Sequence, residues 1–294
     1  MQSRNPVFAR AEGFNGKGSV NAYGNVTYPG AGQSYAGYGS PSTWSVGTPG
    51  SPTSPTPTEA YQGPMTIDSV VQKTGITLAV VFVAAALTWL FTGDVASQGS
   101  LSSLYGLSMV GALGGFALAM VNSFKRVVSP ALVIAYAALE GVFIGGFSKV
   151  VAVYFGGASG GSSIVVGAVL GTVAAVAGTL AAYKFFDIKV GDKFRKWVVA
   201  MMFGFVGVAL LDFVLSFFGA SFGFNGFGGM GLISSVIGLG LGVLMLILDF
   251  DFVERGVRAG LPERESWRAA FGLTVTIVWI YIELLRILAI LNRR

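Results

Sequence analysis

The chain has 294 residues, of which 53% are hydrophobic and 11% charged, and its net charge is +5. A mean hydropathy of +0.69 predicts a polytopic membrane protein. Because the sequence has no cysteine and no histidine, disulfides, thiolate metal sites, Ser-His-Asp triads and histidine-ligated zinc are excluded. We therefore expect no enzymatic activity and no cofactor, and nothing in the sequence indicates a nucleic-acid partner.

Residues 1–64 form one block rich in Gly, Ser, Pro, Thr and Tyr, without apolar periodicity. Such a segment cannot bury enough surface to offset the entropy of ordering it. We predict a disordered cytoplasmic tail over 1–64 and a transmembrane domain over 65–294. At the junction, Thr66 or Asp68 is the candidate N-cap of a short helix that leads into the first span.

Seven apolar runs follow, each with about the 20 residues that a helix needs to cross the hydrocarbon core. Such runs do not alternate as barrel strands do, so we predict an all-α bundle. The predicted spans are 76–92, 101–124, 129–155, 163–186, 197–219, 229–251 and 268–290. Basic residues concentrate in the tail and in the second, fourth and sixth loops, which predicts a cytoplasmic N-terminus.

Pairs of glycines four residues apart recur in the spans and predict close helix packing. The pairs are Gly111/Gly115, Gly141/Gly145, Gly167/Gly171 and Gly238/Gly242, and Gly178 extends the face of the third pair.

Five carboxylates fall within the predicted spans: Glu140, Asp212, Asp249, Asp251 and Glu283. A charge in hydrocarbon is costly, so each is a candidate for proton or cation handling. Glu140 is mid-membrane, and its structural alternative is a protonated side chain hydrogen-bonded inside the bundle. Asp212 lies in the outer half of its span, where the alternative is simple contact with solvent.

The acids of the last two spans have basic neighbours. Glu283 is followed on the same helix face by Arg286, so the alternative for this acid is a local ion pair. Asp249 and Asp251 are two apart and point about 200° from one another on a helix, so only one of them faces the bundle easily. The other is expected to face the basic sixth loop.

The order of LEGVFIGGFS, LDFDFVERG and WIYIELLRIL across the spans, after SRNPVFAR and MTIDSVVQKTG, resembles the Bax inhibitor-1/YccA family. The likeness is to its bacterial branch with a long N-terminal tail and covers about residues 65–291. The resemblance implies six helices around a central last helix, in a bacterial inner (plasma) membrane. It also implies a calcium-permeable path, with membrane lipids and calcium ions as partners.

The resemblance further implies one acid on each of the last two spans, which share a proton and latch the path. Asp249 matches the first acid and Glu283 the second, and Lys125 and Arg126 match a basic cluster that is a candidate latch partner for Asp249. Depth counting places the two acids more than about 10 Å apart in height on straight helices. Either the sixth helix extends well beyond Asp251, or Glu283 pairs with Asp212, Glu140 or Arg286.

Two functions are consistent with these features. The first is a pH-sensitive calcium leak that opens when the paired acids ionise and repel each other. The alternative is a non-channel interaction protein that modulates a membrane protease or a stress response, which the long tail favours.

Overall fold

The computed structural model describes residues 63–93, 98–156, 161–186 and 188–292, together with two short strands nearer the N-terminus. The chain divides into two units, Met1–Thr58 and Glu59–Arg294. In the first unit, β1 (Ser19–Val20) and β2 (Val26–Thr27) form an antiparallel pair. The rest of the predicted disordered tail up to residue 62 lies outside the described residues.

The described part of the second unit contains seven α-helices that are long and apolar enough to cross a membrane. This confirms the predicted all-α membrane bundle. The helices are α1 (Ile67–Phe91), α2 (Gln98–Phe124), α3 (Pro130–Phe155), α4 (Ser162–Phe185), α5 (Asp192–Ser216), α6 (Gly229–Arg258) and α7 (Glu265–Leu291).

α1 and α6 extend furthest beyond the predicted spans. The predicted short helix and the first span are one continuous helix, because Thr66 and Ser69 form a capping box with backbone contacts of 3.0 and 3.1 Å. The sixth helix, α6, continues past Asp251 because acid–base pairs four residues apart support its last turns. It ends at Arg258, and Gly260 beyond the C-cap residue has a φ of 62°, the left-handed conformation typical of a helix C-terminus.

The last helix, α7, lies at the centre of the bundle. It packs against α1, α3, α4 and α6, and it is the most buried of the seven helices. α2 packs mainly on α3, and α5 packs mainly on α6. Leu285 and Ala289 of α7 join the core shared with α3 and α4, while Ile280 joins a second core with Leu246 of α6.

The predicted glycine pairs lie where helices approach closely. A methyl carbon added at Gly141 of α3 would be 2.5 Å from the carbonyl oxygen of Val81 in α1. One added at Gly111 of α2 would be 2.6 Å from the backbone nitrogen of Phe143 in α3. Gly178 has open space instead, so it does not extend the close-packed face as the spacing indicated.

Gly141→Ala should lower the stability of the bundle by about 1–3 kcal/mol, because the new methyl group would push α1 and α3 apart. Gly178→Ala is the matched control and should change stability by less than about 1 kcal/mol, in the stabilising direction, through helix propensity. Thermal unfolding of both variants in detergent checks this. Equal midpoints for the two variants would contradict the assigned α1–α3 contact.

The bundle has two ends that differ in charge. We call the end with residues 63–66 and loops 125–129, 188–191 and 259–264 the basic face, and the end with loop 217–228 and Asn292 the opposite face. At the basic face, the backbone of residues 63–65 is hydrogen-bonded antiparallel to residues 261–263. The buried Lys73 ammonium also contacts the Glu263 carboxylate at 3.0 Å. The segment that precedes α1 is thereby fixed to the α6–α7 loop.

Candidate functional site

Several polar groups of the membrane interior lie along the seam between α6 and α7. The two helices are antiparallel, so residues late in α6 lie at the same depth as residues early in α7. Gly238 lies against the Glu283 carboxylate, and nearer the basic face Asp249 lies against Gly272 and Thr276. Thr276 and Glu283 are seven residues apart and therefore share the face of α7 that meets α6.

Asp249 has a hydroxyl partner but no cationic one. Its Oδ2 accepts a hydrogen bond of 2.6 Å from the Thr276 hydroxyl. Oδ1 is close to the backbone of Gly272, where an added methyl carbon would be 3.8 Å away. Among the described residues, no Lys or Arg forms an ion pair with this carboxylate.

Glu283 is paired with Arg286, as the local alternative predicted. The distance from Arg286 Nη1 to Glu283 Oε2 is 3.1 Å, and the two side chains are only 9% and 5% exposed. Arg286 Nη2 donates to the carbonyl oxygens of Phe224 and Gly226 at 2.9 and 3.2 Å. It also approaches Ser234 Oγ at 3.4 Å.

The structure does not bring Asp249 and Glu283 together, so a latch formed by these two acids is absent from this arrangement. Glu283 lies two helical turns beyond Thr276 on α7, which is about 10 Å at 1.5 Å per residue. α6 does extend beyond Asp251, but the extension adds turns at the basic face and does not bring Asp249 to the depth of Glu283. The carboxyl group implied opposite Asp249 is replaced by the Thr276 hydroxyl.

Asp251 points to the basic face, as expected for one member of a pair two residues apart. Its carboxylate pairs with Arg195 of α5 at 3.1 Å and with Arg255 one turn later on α6. Asp251 is therefore charge-compensated, whereas Asp249 faces the seam.

Lys125 and Arg126 do not reach Asp249, which corrects their assignment as its latch partners. Both lie exposed at the end of α2, at the basic face. Their backbone carbonyl oxygens accept hydrogen bonds from Arg268 in the first turn of α7, with the Arg126 contact at 2.7 Å. The two residues therefore help to hold the start of α7.

Asp212 organises the loop 217–228 at the opposite face. Its Oδ1 accepts hydrogen bonds from the Ser221 hydroxyl and from the amides of Phe222 and Gly223, at 2.9–3.2 Å. Its Oδ2 accepts from the backbone and side-chain nitrogens of Asn225. This arrangement supports a structural role for Asp212, and its carboxylate does not pair with Glu283.

Asp212→Asn should loosen this loop, because an amide group cannot accept hydrogen bonds at both of its terminal atoms. We expect the amides of residues 222, 223 and 225 to exchange with solvent deuterium roughly ten- to hundredfold faster. Asp192→Asn, at the exposed start of the same helix, is the control and should leave them unchanged. Unaltered exchange in Asp212→Asn would show that the carboxylate does not hold the loop.

Glu140 lies at the contact between α3 and α2. A methyl carbon added at Gly115 of α2 would be 2.9 Å from Glu140 Oε2, and Tyr136 is its hydrogen-bonding neighbour one turn earlier. Among the described residues, Glu140 has no cationic partner. Glu140 thus faces the second span from within the bundle, and its role in proton or cation handling stays a prediction.

Sequence reasoning missed the buried hydroxyls of α7. Thr276 contacts Asp249, whereas Thr274 and Tyr281 on another face contact Thr77 of α1 and Ser148 of α3, at 3.1 and 2.6 Å. Hydroxyl groups are common in membrane helices, and only the seven-residue spacings of Thr274 from Tyr281 and of Thr276 from Glu283 would have singled them out.

A helical membrane bundle with a buried central helix and carboxylates along its seams is the class of protein that these features define. The family model described as Bax inhibitor 1 like matches residues 5–293. The chain belongs to this family, as its motifs indicated. No curated protein matches it in sequence. In the part of the chain that the structure describes, no three Asp or Glu side chains converge in a group that could hold a metal ion.

Proposed function

We propose that this protein is a pH-sensitive cation leak for calcium in a bacterial inner membrane, with its N-terminus in the cytoplasm, and that it is not an enzyme. The observation that carries the proposal is Asp249, a carboxylate within the seam whose described partner is a hydroxyl and not a cation. A carboxyl group in such surroundings either holds a proton or is accompanied by a positive ion.

The proton and the permeant ion therefore compete for the same group. At low pH the neutral acid attracts no cation. At high pH the ionised carboxylate offers the hard oxygen ligand that calcium prefers. A single acid with a hydroxyl neighbour thus takes the place of the paired-acid latch. Calcium flux should therefore rise with pH.

The seam is closed in the structure. Between the levels of Asp249 and Glu283, the fully buried Leu246 and Ile280 meet in the core between α6 and α7. Trp279 fills the space beside Gly242 and donates its indole N–H to the carbonyl oxygen of Gly238 at 2.9 Å. An apolar constriction of this kind blocks ions until it widens, so we assign the structure to the closed state.

Reconstitution into liposomes that contain a calcium-sensitive dye tests the proposed function. The protein should admit calcium at a rate that increases from acidic to alkaline pH, above the rate of protein-free liposomes. A flux equal to that of protein-free liposomes at every pH would refute the leak.

The second candidate is a membrane interaction protein that acts on a membrane protease or a stress pathway. The fixed junction between residues 63–65 and the α6–α7 loop favours it, because a partner bound to the tail would pull directly on that loop. Deletion of residues 1–58 distinguishes the two functions. If the truncated protein no longer affects the protease or the stress pathway in cells but gives unchanged liposome flux, the interaction protein is supported. If its effect in cells is unchanged, this candidate is disfavoured.

A further inference from the structure

Arg286 fills a pocket whose walls are oxygen atoms. Its guanidinium contacts one carboxylate oxygen of Glu283, two backbone carbonyl oxygens of the loop 217–228 and the hydroxyl of Ser234. These four atoms, which we call the oxygen cage, come from α7, the loop and α6.

The loop that supplies the carbonyl oxygens is held from its other side. Asp212 binds the amides of residues 222, 223 and 225, whereas Arg286 binds the carbonyl oxygens of residues 224 and 226. The loop therefore turns its N–H groups toward α5 and its carbonyl oxygens toward the cage. Backbone carbonyls fixed in this way are the ligands that ion pathways use in place of water.

The pocket does not satisfy the guanidinium completely. Arg286 Nε is buried and has no hydrogen-bond partner among the described residues. A buried polar atom without a partner is unusual and costs free energy. The guanidinium is therefore held by oxygens from three elements, and the same oxygens are ligands of the kind that a compact cation uses.

We propose that the oxygen cage can bind a divalent cation of the calcium class and that the Arg286 side chain excludes this cation by occupying the cage as a tethered positive charge. One carboxylate, two carbonyls and a hydroxyl are hard oxygen ligands, and calcium completes such sets with water. Arg286 therefore closes the opposite-face end of the α6–α7 seam. This inference deepens the calcium pathway proposed above and rests on it for the link to flux, whereas binding to the cage is measured separately.

The contacts also set the expected affinity. The oxygens lie 2.9–3.4 Å from the guanidinium nitrogens and would have to move inward to reach calcium. Only one of the four carries a charge. Weakly charged, adaptable sites of this kind bind calcium at about 10⁻⁴–10⁻³ M.

The test replaces Arg286 by Met and, in a second variant, by Gln, which keeps a hydrogen-bond donor without the charge. Thermal unfolding in detergent is followed as calcium chloride is added. We expect calcium to raise the midpoint of both variants with half-effect near 10⁻⁴–10⁻³ M and to leave the wild type unchanged. The double variant Glu283→Gln/Arg286→Met keeps the pocket but loses the carboxylate, and it should not respond to calcium.

Terbium luminescence gives a second readout at the same place. Trp279 lies beside Gly238, which borders Glu283, so excitation of the indole should sensitise terbium bound in the Arg286→Met cage. The wild type and the double variant should give only background signal. Equal luminescence in all three proteins would overturn the proposal, as would an Arg286→Met protein that responds to neither ion.

Folding failure also has a defined meaning. If neither single variant folds even when calcium is present throughout purification, the proposal is refuted, because calcium should replace the lost charge. Calcium binding by Arg286→Met without calcium flux in any protein would leave the cage in place and refute the leak. Calcium flux in the wild type without calcium binding by either variant would support the leak and refute the cage.

Discussion

Replacing Asp249 by Asn should remove the pH dependence of calcium flux and lower the flux at alkaline pH by roughly tenfold or more, which corresponds to at least about 1.4 kcal/mol. The amide has nearly the same shape and still accepts the Thr276 hydrogen bond. It cannot ionise, so it behaves as the protonated acid at every pH. The measurement is a pH series of calcium entry into dye-loaded liposomes.

Asp251→Asn is the matched control for this result. Asp251 lies two residues away on the same helix, but it is paired with Arg195 and Arg255 at the basic face. Its loss should leave the slope of flux against pH intact. If both variants lost the pH dependence equally, or if Asp249→Asn kept it, Asp249 would not be the titrating group.

Glu283→Gln should destabilise the bundle by about 3–5 kcal/mol, because it leaves the buried Arg286 charge without its carboxylate. Arginine cannot lose its proton, so this cost should be present in full at every pH at which Glu283 is ionised in the wild type. Arg286→Met should cost less at low pH, where Glu283 can neutralise itself by taking up a proton. The double variant, which retains neither charge, should be close to the wild type in stability.

A double-mutant cycle on thermal or denaturant unfolding measures these differences. A large coupling energy between the two positions is expected, since the two side chains are in contact and almost fully buried. Additive effects of the two substitutions would mean that the pair is not formed, and the oxygen cage would then have to be abandoned as well.

The architecture was accessible from sequence because the membrane allows few alternatives. Apolar runs of sufficient length can only be helices. The predicted helix ends at the opposite face were close to the observed ones. The ends at the basic face were less accessible. α6 continues to Arg258 through charged residues that a hydropathy pattern assigns to a loop but that pair along the helix.

Local geometry also predicted part of the site. The 200° separation of Asp249 and Asp251 correctly assigned one to the seam and the other to basic residues, because it depends only on helix periodicity. The Glu283–Arg286 pair followed from its three-residue spacing in the same way. Such inferences hold because they depend only on the relative positions of residues along one helix.

The contacts between elements were not accessible in this way. Resemblance to the family suggested a carboxylate opposite Asp249, but the register of α7 against α6 places Thr276 there. The role of Asp212 depends on how the glycine-rich loop 217–228 folds back, and this is set by a positive φ at Gly219 and Gly223. Composition alone gives no such register or loop path.

The structure therefore sorts the intramembrane acids by their partners. Glu283 and Asp251 are compensated by arginines, and Asp212 is surrounded by amide and hydroxyl donors. Asp249 and Glu140 have only hydroxyl partners among the described residues. This makes Asp249, on the seam with the central helix, the strongest candidate for the proton-sensitive group.

In the proposed leak, protonation of Asp249 controls calcium flux, and infrared difference spectroscopy of the reconstituted protein detects this proton. The carbonyl stretch of protonated carboxyl groups is recorded across a pH series for the wild type and for Asp249→Asn. We predict a band that is missing in the variant and that disappears over the same pH range in which wild-type flux rises. A band that is identical in both proteins, or one that titrates in a range where flux is constant, would contradict the claim.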